Sequence, residues 1–238
     1  MRLLYLVIII QLLFSACEEK SVSIVSENSS PRIAFGMQKL KTSLQKAGYQ
    51  VLDEARDGTP VIRVDLLDTL MKEVGASGQK LGKEGFTLRS DAHEIVVTGR
   101  DESGALYGCL DLPELIMKDG KLPANIRKTD QPEMVLRGAC IGLQKTTYLP
   151  GRTVYEYPYT PENFPWFYDK DLWIKYLDML AENRMNTLYL WNGHPFASLV
   201  RTEDYPYAVE VDEETFEKNE EMFAFLTHEA DKRGIWVI

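Results

Sequence analysis

Three cysteines and three histidines in 238 residues leave little material for a metal centre or a disulfide framework. His93, His194 and His228 stand far apart, and none falls at ligand spacing from another histidine or a cysteine, which excludes the common zinc motifs. No cofactor is expected. Basic side chains are also short: 27 Lys and Arg against 36 Asp and Glu give a net charge of −9. A nucleic-acid partner needs a basic face, and adsorption to anionic lipid needs one too. The longest apolar run, Leu3 to Phe14, is shorter than the ~20 residues of a bilayer-spanning helix. No internal repeat is evident.

What is present is an ordinary globular composition, 45% hydrophobic and 26% charged. The 12 Tyr, 9 Phe and 4 Trp crowd the second half, where packing is their first role and flat faces for sugar rings a second. Met1-Arg2 supplies a positive start and Leu3–Phe14 an apolar stretch, followed by Ser15-Ala16-Cys17. This resembles a bacterial lipobox. Residues 1–16 are then a lipoprotein signal peptide and Cys17 the lipidated residue, with ordinary cleavage nearby as the alternative. A lipid anchor would place the protein at the bacterial cell envelope, its membrane contact made through the lipid. Residues 17–30, rich in Ser and Glu, read as a polar tether. Cys109 and Cys140 fall in an expected helix and strand, as two buried free thiols.

From residue 31 the pattern is α/β. Ile33, Met37, Leu40 and Leu44 share one helical face that ends at Ala47-Gly48. Val61–Val64 reads as a strand. Phe86–Leu88 and Glu94–Gly99 read as a hairpin around a turn at Ser90–His93. Ser103 caps a helix carrying Leu106, Leu110 and Leu115, with Pro113 as a possible kink, and Pro123–Pro132 reads as a linker. From Glu133 the order is strand (Val135–Leu143), a Pro/Tyr/Thr-rich loop, and helix (Asp169–Asn183, with Leu172, Tyr176, Met179 and Leu180 inward). A strand (Asn186–Trp191), a helix begun by Thr215, and a last strand (Ile235–Ile238) complete it. Strand–helix alternation of this kind builds a parallel sheet.

Two sets of motifs carry a resemblance. Glu84–Ile116 (EGFTLRSDAHEIVVTGRDESGALYGCLDLPELI) is similar to the small α/β domain that precedes the barrel in family 20 glycoside hydrolases and in α-glucuronidases. Gly99, Asp101, Gly104, Tyr107 and Gly108 match its "Gly-x-Asp-x-x-Gly-x-x-Tyr-Gly" pattern. Arg137-Gly138, Met185-Asn186, Trp191 and Arg233-Gly234-Ile235 resemble the openings of the first three barrel strands of family 20. The resemblance implies a small α/β domain over 31–128, then an incomplete (β/α)8 TIM barrel over 133–238. It also implies hydrolysis of O-glycosyl bonds, with an oligosaccharide or polysaccharide as partner.

In such a barrel the site lies at the C-terminal strand ends. After the first strand, Lys145 stands where the family has a sugar-binding arginine, and Gly142 where it has an aspartate. After the second strand, Trp191, Asn192 and His194 combine a flat apolar face with neutral hydrogen-bonding groups. These four are the candidate substrate-binding residues. No catalytic residue is assigned, because the family's acids follow later strands. Glu203-Asp204 and Asp212-Glu213-Glu214 are loop and helix-start acids, as the helix dipole favours. A complete barrel takes roughly 250 residues. The expectation is therefore the N-terminal portion of an exported glycosidase, itself without catalysis. The alternative is a non-catalytic sugar-binding surface lipoprotein.

Overall fold

The computed structural model describes residues 20–67, 81–91, 93–142, 151, 158–191 and 197–238. Cys17 lies outside them. Two sheets organise the chain. The first has the strands β1 (Lys20–Val25), β2 (Tyr49–Leu52), β3 (Val61–Leu66), β4 (Phe86–Ser90), β5 (Glu94–Gly99) and β6 (Arg127–Asp130), in spatial order β2-β1-β3-β5-β4-β6. β2, β1, β3 and β5 run parallel, and β4 and β6 are antiparallel to their neighbours. The helices α1 (Pro31–Lys46) and α2 (Glu102–Asp119) cover one face. Alternation decides which face: Val22, Ile24, Ile62, Val64, Leu88 and Val97 point to the helices and meet Ile33, Leu40, Leu106 and Leu112. Gly36 lets α1 lie close to α2, since a Cβ there would stand 3.1 Å from the Leu106 backbone.

The second sheet, β7 (Gly138–Gly142), β8 (Thr187–Trp191) and β9 (Trp236–Val237), is parallel throughout. The helices α3 (Lys170–Glu182) and α4 (Glu213–Asp231) pack on one face of it, burying Leu177, Leu180, Leu188, Leu190, Leu226 and Ile235. No helix among the described residues is long and apolar enough to cross a membrane.

Several expectations are corrected. The tether drawn over 17–30 contains β1, which sits between β2 and β3. Its serines disguise a strand: Val22 and Ile24 alternate into the core, and the backbone N–H of the buried Ser23 donates to the Pro60 carbonyl at 2.9 Å. The linker drawn over Pro123–Pro132 holds β6, whose charged residues suit a sheet edge. α2 is capped by Asp101, not Ser103: its carboxylate accepts from the backbone N–H groups of Gly104 and Glu84, both at 2.9 Å. Ser103 is instead buried beside Arg32. Likewise Asp212, not Thr215, caps α4. The buried face of α3 is Trp173, Leu177, Leu180 and Ala181, leaving Leu172 and Met179 exposed; the large indole sets the rotation of the helix. β7 begins at Gly138, and Met134, Val135 and Leu136 before it are exposed.

Cys140 is exposed while Cys109 is fully buried, with its thiol pushed up to about 12 by burial. Iodoacetamide at pH 8 is therefore expected to label Cys140 and spare Cys109 in folded residues 18–238 expressed alone, read by peptide mass spectrometry. Because Asp101 satisfies two backbone donors, Asp101→Ala should cost about 1–2 kcal/mol in chemical denaturation.

Candidate functional site

The second sheet has two ends with different chemistry. At the C-terminal end, Gly142 of β7 lies beside Trp191 of β8 in register. Strand alternation puts Cys140, Tyr189, Trp191, Trp236 and Ile238 on the face away from α3 and α4, and all five are exposed. A layer of this face runs across the strands through Cys140 and Tyr189 to Ile238, whose N–H donates to the Leu188 carbonyl.

The loops above this end are held from below by Asn219 of α4. Its fully buried side chain donates to the carbonyls of Tyr159 at 3.0 Å and Ser198 at 2.8 Å. Its amide oxygen accepts from the Tyr168 hydroxyl at 2.5 Å. Tyr159, Phe164, Phe167 and Phe223 form an aromatic cluster, with ring centroids 5.2–6.0 Å apart in each pair with Tyr159. Burial raises the ionisation of the Tyr159 and Tyr168 phenols far above the ordinary range, so both stay neutral. Tyr159, Phe164, Phe167, Trp173 and Phe216 are thus core, whereas Tyr189, Trp191, Tyr205, Tyr207 and Trp236 are exposed.

Three acids at the start of α4 are occupied. Asp212 accepts from Thr215, which holds its carboxyl below the usual carboxylate range. Glu213 pairs with Arg201 at 2.7 Å and Glu214 with Lys218 at 2.7 Å. A general acid needs a raised pKa, so the Asp212 environment is the reverse of what that role requires. Among the described residues no group of His, Cys, Asp and Glu could hold a metal ion.

At the opposite, N-terminal end of the strands the two sheets are bolted together. Arg137 donates to the Glu84 carboxylate at 2.7 Å, to the Arg184 carbonyl at 2.9 Å and to the Met134 carbonyl at 2.8 Å. Asn186 donates to the same Glu84 carboxylate at 3.0 Å, and its amide oxygen accepts from the Arg137 N–H at 2.8 Å. Tyr107 stands beside this pair, its phenol pushed up to about 12 by burial and by the charge of Glu84. A second cluster joins the buried Asp111 to Lys128 and Arg184, which also reaches Asp130. A third ties α1 to the helices of the second sheet: Lys39 pairs with Asp178 at 2.6 Å, and so does the buried Arg233, which lies over the Phe35 ring.

Residues 16–130 match the family model described as glycosyl hydrolase family 20, domain 2. A solved GH138 enzyme targeting pectin rhamnogalacturonan II is 54% identical over 91% of this chain, with a TM-score of 0.80. Residues 16–130 are thus similar to domain 2 of the family 20 glycosyl hydrolases. The match covers 30% of the GH138 enzyme's length, so the chain spans about a third of that relative. A Flavobacterium johnsoniae chitobiase is 20% identical over 91% of this chain and 30% of its own, with a TM-score of 0.52. A GH115 4-O-methyl-α-glucuronidase is 18% identical over 92% of this chain and 28% of its own, with a TM-score of 0.53. These two show likeness of fold alone. No curated protein matches the chain.

In this glycoside hydrolase-like domain the motif residues are structural. Gly99, Gly104 and Gly108 each stand where a Cβ would strike a neighbour, Asp101 is a cap, and Tyr107 adjoins the Arg137–Glu84 pair. Arg137 and Asn186 join the sheets. Of the candidate sugar-binding residues, Trp191 is at the C-terminal end of β8 with an exposed side chain. Lys145, Asn192 and His194 lie outside the described residues. Sequence reasoning missed Tyr189 and Trp236 on the exposed face, although the alternation of Thr187-Leu188-Tyr189-Leu190-Trp191 puts Tyr189 and Trp191 on one side.

Proposed function

We propose that this chain is the N-terminal portion of an exported glycoside hydrolase that cleaves O-glycosyl bonds in a pectic glycan. The observation that carries the reading is 54% identity, over 91% of the chain, to a GH138 enzyme targeting pectin rhamnogalacturonan II. In this reading β7, β8 and β9 are the first strands of a (β/α)8 barrel. Their exposed face, with Cys140, Tyr189 and Ile238, is the barrel interior, and the strand ends near Trp191 are the substrate side. Lys145, Asn192 and His194 then contribute hydrogen bonds to sugar hydroxyls from the loops after β7 and β8. The two carboxylates of glycoside hydrolysis come from strands beyond β9, and residues 1–238 alone are inactive. Cys17 carries the lipid, three residues before the start of β1 at Lys20, and holds the first sheet close against the envelope.

The test is to express residues 18–238, and the same protein extended through whatever coding sequence follows, and to assay both on rhamnogalacturonan II. Sugar release by the extended protein alone is the expected result. A stop codon directly after Ile238, or an extended protein inert on pectic glycans, would sink the proposal.

A further inference from the structure

The chain leaves β8 at Trp191 and enters α4 at Glu213, so the loop between them stands at the C-terminal, substrate-side end of the sheet. Its described part presents two tyrosines to solvent. Tyr205 is 56% and Tyr207 78% exposed, and their rings meet edge to face, with centroids 5.9 Å apart and planes at 79°. Neither ring packs into the core, so protein stability does not account for the pair.

The corner they make is held in place. Pro206 restricts the backbone between them at the start of a 3₁₀ turn (Pro206–Ala208). The Tyr205 N–H donates to the Thr202 carbonyl at 3.1 Å, and the Ala208 N–H donates to the Tyr205 carbonyl at 3.0 Å. On the far side the Glu210 N–H donates to the Ala197 carbonyl at 2.8 Å, beside the Ser198 that Asn219 anchors. At the near end Arg201 stacks on the Phe216 ring at 3.9 Å and pairs with Glu213. A prearranged aromatic corner loses little freedom on binding a ligand.

The charge around the corner selects among ligands. Glu203, Asp204 and Asp212 lie along the same short segment, and among the described residues the nearby cations Arg201 and Lys218 are engaged by Glu213 and Glu214. A negative rim repels a carboxylate-bearing sugar and leaves a neutral one unaffected. A pyranose offers a flat C–H face for one ring and a hydroxyl rim for the phenols.

We propose that Tyr205 and Tyr207 form a carbohydrate subsite beside the catalytic face, taking a neutral pyranose in preference to a uronate. This rests on the glycoside hydrolase reading above and adds to it which sugar class the glycan presents at this rim.

The experiment is calorimetric titration of the full chain with neutral tetrasaccharides (galactose-, xylose- and glucose-based) and with tetragalacturonate at low salt. At least one neutral tetrasaccharide is expected to bind, with tetragalacturonate several-fold weaker. Tyr207→Ala should weaken neutral binding about tenfold, and Tyr207→Phe should retain most of it. Unchanged binding in both Tyr205→Ala and Tyr207→Ala overturns the subsite, as does tetragalacturonate binding as tightly as every neutral sugar. Absence of any sugar binding, with self-association lost in Tyr207→Ala, overturns it in favour of a protein contact. Because the readout is binding, it is separate from sugar release: an inert extended enzyme with tyrosine-dependent binding defeats the hydrolase reading and leaves the subsite standing.

Discussion

Arg137→Ala is expected to destabilise the chain by about 3–5 kcal/mol, because it strands a buried carboxylate. Glu84 and Arg137 are 7% and 15% exposed at the side chain, and their bond spans the junction between the two sheets. Removing the guanidinium also frees the carbonyls of Arg184 and Met134, which accept from it. For a chain of this length, a loss of that size lowers Tm by roughly 10 °C. Arg137→Lys should recover only part of it, since an ammonium cannot reproduce a planar fork that serves three acceptors at once. The double variant Glu84→Gln with Arg137→Met should lose less than the sum of the single losses, because no charge is then left unpaired. Urea denaturation of the parent, Arg137→Ala, Arg137→Lys, the singles Glu84→Gln and Arg137→Met, and their double variant measures all of this. Additive losses would mean that the pair is not coupled.

Gly104→Ala is expected to cost about 3 kcal/mol, although alanine is the better helix former by roughly 1 kcal/mol. A Cβ at Gly104 would meet the Gly85 carbonyl oxygen well inside 3.0 Å, a distance that real Cβ atoms essentially never breach. The obstacle is backbone, so no side-chain rotation relieves it. Either α2 moves off the end of β4 or the Gly85 peptide moves, and Glu84, next in the chain, is the residue that receives Arg137. The effect of Gly104→Ala should therefore be non-additive with Arg137→Ala. By contrast, Gly120→Ala has open space around the new Cβ and meets only the strain of a φ of +65°, a cost of about 1 kcal/mol. Thermal melts of the two alanine variants should rank them in that order. A Gly104→Ala protein as stable as the parent would show that the close approach is not needed.

These expectations bear on how the motifs are understood. Gly99, Asp101, Gly104 and Tyr107 were legible as a family pattern, yet a pattern does not say why its residues are there. The structure supplies the reason: close helix–strand approach, a cap shared between two backbone N–H groups, and a phenol beside a buried ion pair. The same holds for Arg137 and Asn186, which stand at strand beginnings and bond across to Glu84 from 53 and 102 positions away. Long-range partners of this kind leave no local trace, because each residue alone looks like an ordinary charged or polar side chain.

Where local physics is strong, sequence and structure agree. The alternation Val61–Val64 and Glu94–Gly99, the stop at Ala47-Gly48 and the parallel strand–helix order after Glu133 all follow from periodicity and from glycine's access to positive φ, +84° at Gly48. Where composition masks pattern, they part. Lys20–Val25 looks like tether because serine separates its apolar residues, and only its place between two parallel strands makes burial of Ser23 tolerable. α3 turned out rotated because the volume of Trp173 needed the space beneath the sheet, a demand set by the opposing surface and not by the helix.

By itself the sequence determined the α/β alternation, the two-part order, the acidic balance and the resemblance to glycoside hydrolases, all of which depend on short-range patterning or on composition. Tertiary structure alone decided that β1 belongs to the first sheet, that Arg137 and Asn186 bond across to Glu84, and that Tyr205 and Tyr207 stand exposed in the segment between β8 and α4. Those facts depend on which groups meet across long chain separations, where a buried charge or a close backbone contact is settled by its partner.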